Sequence, residues 1–202
     1  MKRKKILIAS VTVLSLILVI WAVIIFQIFS IKNKSSFYGS SYEMKAPDFT
    51  LTGQDGQKVT LGEFKGKVVF MFFGYTHCPD ICPVTLSTLN SAMNELGKDK
   101  DMVQVLFVTV DPERDNQSEL KKYVTFFNKD FIGLTGTPEE IKNVSDSYHA
   151  FYIKEQTGPD SGYLMGHTSS VYLINPDGRI VLRYPQNKMD PKEIAKDVER
   201  IL

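Results

Sequence analysis

Cysteine, histidine and tryptophan are scarce in this chain: two, three and one in 202 residues. Both cysteines, Cys78 and Cys82, fall in one short stretch, so a disulfide between them would tie no distant elements together. In the chain-entropy account a loop of about five residues yields only roughly 2 kcal/mol, against about 5 for a hundred-residue loop. A structural staple is therefore a poor reading of the pair. No basic patch invites nucleic acid. Four of the 24 basic residues are Lys2, Arg3, Lys4 and Lys5, and the remaining 20 face 23 acidic ones. There is no internal repeat and no low-complexity tract, and the seven methionines are scattered rather than gathered into a metal-binding run. No cysteine is placed for lipid attachment, and Gln27 to Lys32 offer no small-x-small cleavage site.

What is present centres on Val68 to Leu96. The unbroken apolar run Val68 to Phe73, rich in β-branched and aromatic residues, predicts a strand buried on both faces. After the cysteines, Val84, Leu86, Leu89, Met93 and Leu96 recur at spacings near three and four, the pattern of one helix face. The cysteines thus sit at a strand-to-helix turn, outside the carboxyl end of a central strand, where open α/β sheets do their chemistry. Pro83 disfavours the helical conformation at Cys82 and suits a first helical position, so the helix is expected to start at Pro83. Free amides and the positive dipole end at that terminus favour thiolate over thiol. A thiolate is both nucleophile and metal ligand.

Residues 1–5 read as a cytoplasmic basic tail and 6–31 as a transmembrane anchor. Ile6 to Phe26 carries no charge and, at 1.5 Å per residue, matches a hydrocarbon core of about 30 Å. The basic tetrad places the N-terminus inside, so the chain from about Lys32 faces the outside, where disulfides form and persist. Residues 32–43, polar and rich in serine, read as a tether, and 44–202 as the folded domain.

Within that domain, Asp48 to Phe64 predicts a hairpin turning at Gln54-Asp55-Gly56. Val103 to Val110 is a second buried strand, Ser118 to Phe127 a helix, Phe131 to Leu134 a short strand, and Pro138 to about Tyr148 a helix. Thr168 to Ile174 and Arg179 to Tyr184 form a hairpin across Asn175-Pro176-Asp177-Gly178. An amphipathic helix from Asp190 to Leu202, capped by Asp190 with Pro191 in its first turn, closes the chain. The order implies an α/β fold with a mixed sheet.

The run KGKVVFMFFGYTHCPDICP, then DPERD, then His167 ahead of YLINPDG, resembles the Sco/SenC family. The resemblance covers nearly all of the chain beyond Met44. It implies a thioredoxin-like fold, a membrane anchor, and a copper-binding protein that helps assemble the dinuclear CuA centre of cytochrome c oxidase, carried on subunit II. It also implies that Cys78, Cys82 and His167 are the copper ligands. Many members carry an acidic residue just before this histidine; here that position is Gly166. The donor set agrees with the resemblance. Two thiolates and an imidazole suit copper or zinc, with Cu²⁺ above Zn²⁺ in the Irving–Williams order. Three protein ligands leave coordination open, whereas a structural zinc takes four. The same cysteines can close to a disulfide and block the metal. A different class stays open, a thiol–disulfide oxidoreductase that keeps the CuA cysteines reduced without carrying copper. A redox or copper sensor is a third reading, disfavoured by a cytoplasmic tail too short to signal. His77 adjoins Cys78 but is expected to point away, His149 lies at a helix end, Asp80 is near the helix N-terminus, and Asp111 and Asp115 read as loop-capping residues rather than ligands.

Overall fold

The expected central strand is β4, Val68–Gly74, every residue of which is buried. In this computed structural model of the chain, which describes residues 14–25, 37–156 and 162–202, β4 lies in the middle of an eight-stranded sheet. The other strands are β1 (Ser40–Lys45), β2 (Thr50–Gly53), β3 (Lys58–Thr60), β5 (Val103–Thr109), β6 (Ile132–Thr135), β7 (Tyr152–Gln156), β8 (Tyr163–His167), β9 (Val171–Ile174) and β10 (Arg179–Tyr184). Their order is β1-β10-β9-β4-β5-β6-β2-β3, with β7 and β8 forming a separate two-stranded ribbon. β4, β5 and β6 are parallel and the remaining pairings antiparallel, so the sheet is mixed, as the element order implies. The final hairpin lies against β4 through β9, Phe72 opposite Val171.

Among the described residues four α-helices complete the folded unit: α1 (Ile81–Glu95), α2 (Gln117–Phe127), α3 (Pro138–Ser147) and α4 (Pro191–Ile201). α1 packs on α4, and α2 on β6. Local chemistry fixes their starts. The Asn116 side chain accepts from the Glu119 amide, Thr137 and Glu140 form a capping box, and Asp190 accepts from the Lys192 and Glu193 amides. Both predicted turns form, with Gly56 and Gly178 at φ 83° and 78°, a region that favours glycine. Phe70, Phe72, Phe73 and Phe107 are sealed in the core, each contributing about 2–3 kcal/mol of burial.

Three expectations shift. The helix after the cysteines starts at Ile81, so Pro83 is its third residue and Cys82 lies inside the first turn. The first turn's amides have no intrahelical acceptor, so a proline costs no bond there, and packing holds Cys82 helical against the pre-proline bias. The strand expected from Thr168 begins at Val171, and His167 ends a separate strand, β8. The domain begins before Met44: residues 40–43 of the expected tether belong to β1, paired with β10. The buried Asp197 on α4 accepts from the amides of Tyr38 and Gly39, at 3.0 and 2.8 Å, and from the Tyr184 hydroxyl. The chain is thereby fastened at Tyr38, where the compact unit Tyr38–Leu202 starts. In the other unit, Met1–Phe37, residues 14–25 are helical with exposed side chains. The rest of the expected anchor, 6–13 and 26–31, lies outside the described residues, as does the basic tail. Among the described residues no helix is long and apolar enough to cross a membrane.

Candidate metal centre

Strand β4 ends at Gly74, and the turn that follows carries Tyr75, Thr76, His77 and Cys78 before α1 begins. Gly74 is a place of close approach. A Cβ there would lie 2.7 Å from the Cys82 sulfur and 2.6 Å from the Phe107 ring. Only a glycine lets the first turn of α1 close down on the strand end with Cys82 wholly buried beneath it. Cys78 stays partly exposed, and its amide donates to the Tyr75 carbonyl.

His167 arrives from the far side of the sequence. Its Nε2 lies 3.5 Å from the Cys82 sulfur. Its Nδ1 lies 3.1 Å from the Thr168 carbonyl oxygen, which can only accept, so Nδ1 carries the proton and Nε2 presents its lone pair to the thiols. A ligating histidine is commonly oriented in this way. The ring is also held edge-on by Tyr75 and Phe72, with centroids 5.7 and 6.1 Å away. The ligand atoms of Cys78, Cys82 and His167 all lie within 4.8 Å of one another, the one such group among the described residues. Two donors on one ion stand at most about 4.6 Å apart at bond lengths of 2.0–2.3 Å, so a small side-chain adjustment brings all three onto a single soft or borderline cation.

The two thiols share a proton unequally. The hydrogen bond from Cys82 holds the Cys78 thiol far below the usual range, against its own partial burial, with smaller help from the amides of Asp80 and Cys82. Cys82 is pushed up, first because its thiol serves Cys78 and then because it is buried. Thiolate is thus favoured at this turn chiefly by the neighbouring thiol, with the amides at the start of α1 contributing less, and the charge sits on Cys78.

The neighbouring candidates fall elsewhere. His77 turns to the Thr76 hydroxyl at 3.0 Å and lies 3.6 Å from Asp115, outside the group of three. His149 follows α3 at φ 54° and meets the Tyr42 hydroxyl. Asp80 is the N-cap of α1 without a side-chain bond. Asp115 is a capping residue across distance: wholly buried, it accepts from the Thr76 amide (2.9 Å), the Thr76 hydroxyl and the Thr109 hydroxyl (both 2.6 Å). It thus ties the root of the cysteine turn to the end of β5. Asp111 bonds the Arg114 guanidinium and the Tyr163 hydroxyl. Beside Gly166 the Glu155 carboxylate, from the facing strand, fills the space a side chain would take. Sequence reading missed Thr76, Tyr75, Arg114 and Tyr163, because their partners are 39 to 92 positions away and no local pattern announces them.

Comparison with known proteins bears on this site. The SCO1/SenC family pattern matches residues 40–202. The chain is 40% identical over 153 residues to the zebrafish mitochondrial SCO2 homolog, covering 75% of this chain and 54% of the relative, so it spans about half of that protein's length. It resembles the structure of Bradyrhizobium japonicum ScoI with copper bound at a TM-score of 0.72 and 42% identity, over 79% of this chain and all of that one. It also resembles BsSco, described as having a disulfide switch and as belonging to the Sco family of cytochrome c oxidase assembly proteins. There the TM-score is 0.63 and the identity 27%, over 81% of this chain and 96% of that one. The fold is thus the thioredoxin-like one of these neighbours, and a match running from the first strand through the last helix, over a Cys-Cys-His cluster, makes this chain a member of the SCO1/SenC family.

Proposed function

We propose that this chain binds a single copper ion through Cys78, Cys82 and His167 and delivers it to cytochrome c oxidase during assembly of the CuA centre on subunit II. The observation that carries the reading is the convergence of two sulfurs and a correctly presented imidazole nitrogen within 4.8 Å at the sheet's carboxyl edge. The copper-bound relative supports the choice of metal, and the name given to BsSco supports the partner. Each residue has a role. Cys78, already a thiolate, receives the ion; Cys82 gives up its proton as it binds; His167 supplies the third donor. With only three protein donors, a ligand of the receiving protein has room to enter, which a cargo site needs and a structural zinc site does not. In this reading residues 6–31 anchor the domain in the cell membrane with the metal site outside, and residues 32–37 tether it.

A second reading, a thiol–disulfide oxidoreductase acting on the CuA cysteines, is favoured by one feature: the depressed Cys78 thiol beside a second cysteine four residues on. His167→Ala separates the two. Copper delivery needs the imidazole, and dithiol exchange needs only the cysteines. The variant should fold and still form the Cys78–Cys82 disulfide, but bind Cu²⁺ more weakly, lose its thiolate–imidazole optical features and fail to support oxidase activity in cells. A variant that binds copper and supports the oxidase like the parent would put the oxidoreductase first.

A further inference from the structure

Two of the three donors are fixed by the main sheet, through β4, Gly74 and α1. His167 is not. It ends a two-stranded ribbon, β7–β8, that shares no ladder with the eight-stranded sheet. Such a ribbon is at best marginal by itself in water, so its pose depends on what holds it to the body. A cavity of about 360 Å³ lies along the ribbon, between Ile153 and Met165 on one side and Val110, Pro112 and Pro138 on the other, so close packing does not fill the whole seam.

A charged latch crosses this seam. Arg114, in the segment after β5, places its guanidinium carbon 3.6 Å from the centroid of the Tyr163 ring, and its Nη1 donates to the Tyr163 carbonyl at 3.0 Å. The Tyr163 hydroxyl donates to the buried Asp111 carboxylate at 2.7 Å, and the same carboxylate bonds Arg114. Lys154, on the facing strand, sits 3.9 Å from the same ring and pairs with Glu113 at 2.7 Å. Both strands of the ribbon are therefore gripped by residues 111–114. The latch also reaches the imidazole. The Arg114 guanidinium lies 5.8 Å from the Tyr75 ring, and Tyr75 meets the His167 ring edge-on at 5.7 Å. A planar, permanently charged fork can serve a ring face, a carbonyl and a carboxylate together, which a lysine cannot.

We propose that Arg114, acting through Tyr163, is a positioning residue for the metal site: it holds the β7–β8 ribbon so that His167 Nε2 stays over the Cys78–Cys82 pair. The inference rests on the copper-binding reading for its affinity test, but not for its test in the metal-free protein. Outer residues that orient a ligand typically change metal affinity by about 10–100-fold.

The experiment uses the full chain purified in the reduced state. Arg114→Ala, Arg114→Lys and Tyr163→Phe are made in the parent and in His167→Ala. Copper(I) affinity is measured by competition with a chelator, and the His167 ring nitrogens are followed by NMR without metal. Arg114→Ala should weaken copper by about 10–100-fold in the parent and have no further effect in His167→Ala. It should also shift the metal-free His167 signals away from the single Nδ1–H tautomer. Arg114→Lys should recover part of the loss, and Tyr163→Phe should show a smaller effect of the same sign. If Arg114→Ala fails to fold, Tyr163→Phe, which keeps the ring and loses only the hydroxyl bonds, decides alone. Equal loss in both backgrounds, or unchanged His167 signals, overturns the inference. A parent that binds no copper overturns the functional reading instead, and the ring signals still decide this one.

Discussion

Cys78 and Cys82 hold one proton between them, and that division governs how the metal-free site responds to pH. Cys78 is depressed, so its thiolate contributes stability above the ordinary thiol range near 8.5, and this is lost as pH falls through its folded value. Cys82 is raised, so above about 8.5 it ionises in the unfolded chain alone, and stability falls as pH rises further. The reduced protein should accordingly gain stability from acid toward that range and lose it beyond, and Cys78→Ser should flatten the acid side. Alkylation is the direct check. Iodoacetamide should label Cys78 first, with a midpoint well below 8.5, and leave the sealed Cys82 untouched until the protein unfolds. Two thiols titrating together near 8.5 would contradict the shared-proton description. The dipole argument that places a thiolate at this helix terminus was legible in the sequence. That the charge falls on Cys78 was not, because it follows from the hydrogen bond Cys82 gives Cys78 and from the burial of Cys82 at the end of β4.

At the scale of elements, the buried strands and the capped helices could be read because one local rule dominates each. β4 is a continuous apolar run and β5 one broken only by Gln104 before its closing Thr109, both buried almost throughout, and α3 and α4 open with a proline after a capping side chain. The elements missed are those whose reason to exist is not local. β1 reads as a serine-rich tether, yet Tyr42 and Met44 turn inward at alternate positions once β10 offers a partner. The ribbon β7–β8 is largely exposed in β7, so Tyr152–Gln156 carries no period-two apolar signal. Its register, with Tyr152 opposite His167, sets where the imidazole emerges. The early start of α1 was hidden by Pro83, which is tolerated through the first turn rather than only at its first position. The candidate ligands themselves were all legible, but their convergence depends on a hairpin pairing with β4 that spans about a hundred residues.

For the whole molecule, the folded unit starts at Tyr38 and the family match at residue 40, two positions apart, so the family pattern covers the folded unit almost completely. The basic tetrad and the uncharged span Ile6 to Phe26 motivate a topological prediction. Protease added to intact protoplasts should digest the domain while the anchor stays with the membrane. A protected domain, or a fully soluble processed form, would refute the anchor.

The central claim is that this site exists to hold copper on two thiols and an imidazole, and redox state tests it most directly. Both proposed ligand sulfurs belong to the chain's only cysteines, so closing them to a disulfide would remove two of the three candidate donors at once. The measurement is copper content and affinity of the purified protein, fully reduced and fully oxidised. The account predicts one copper per reduced chain, its loss on oxidation and its return on reduction. Equal copper binding by the oxidised protein would contradict it.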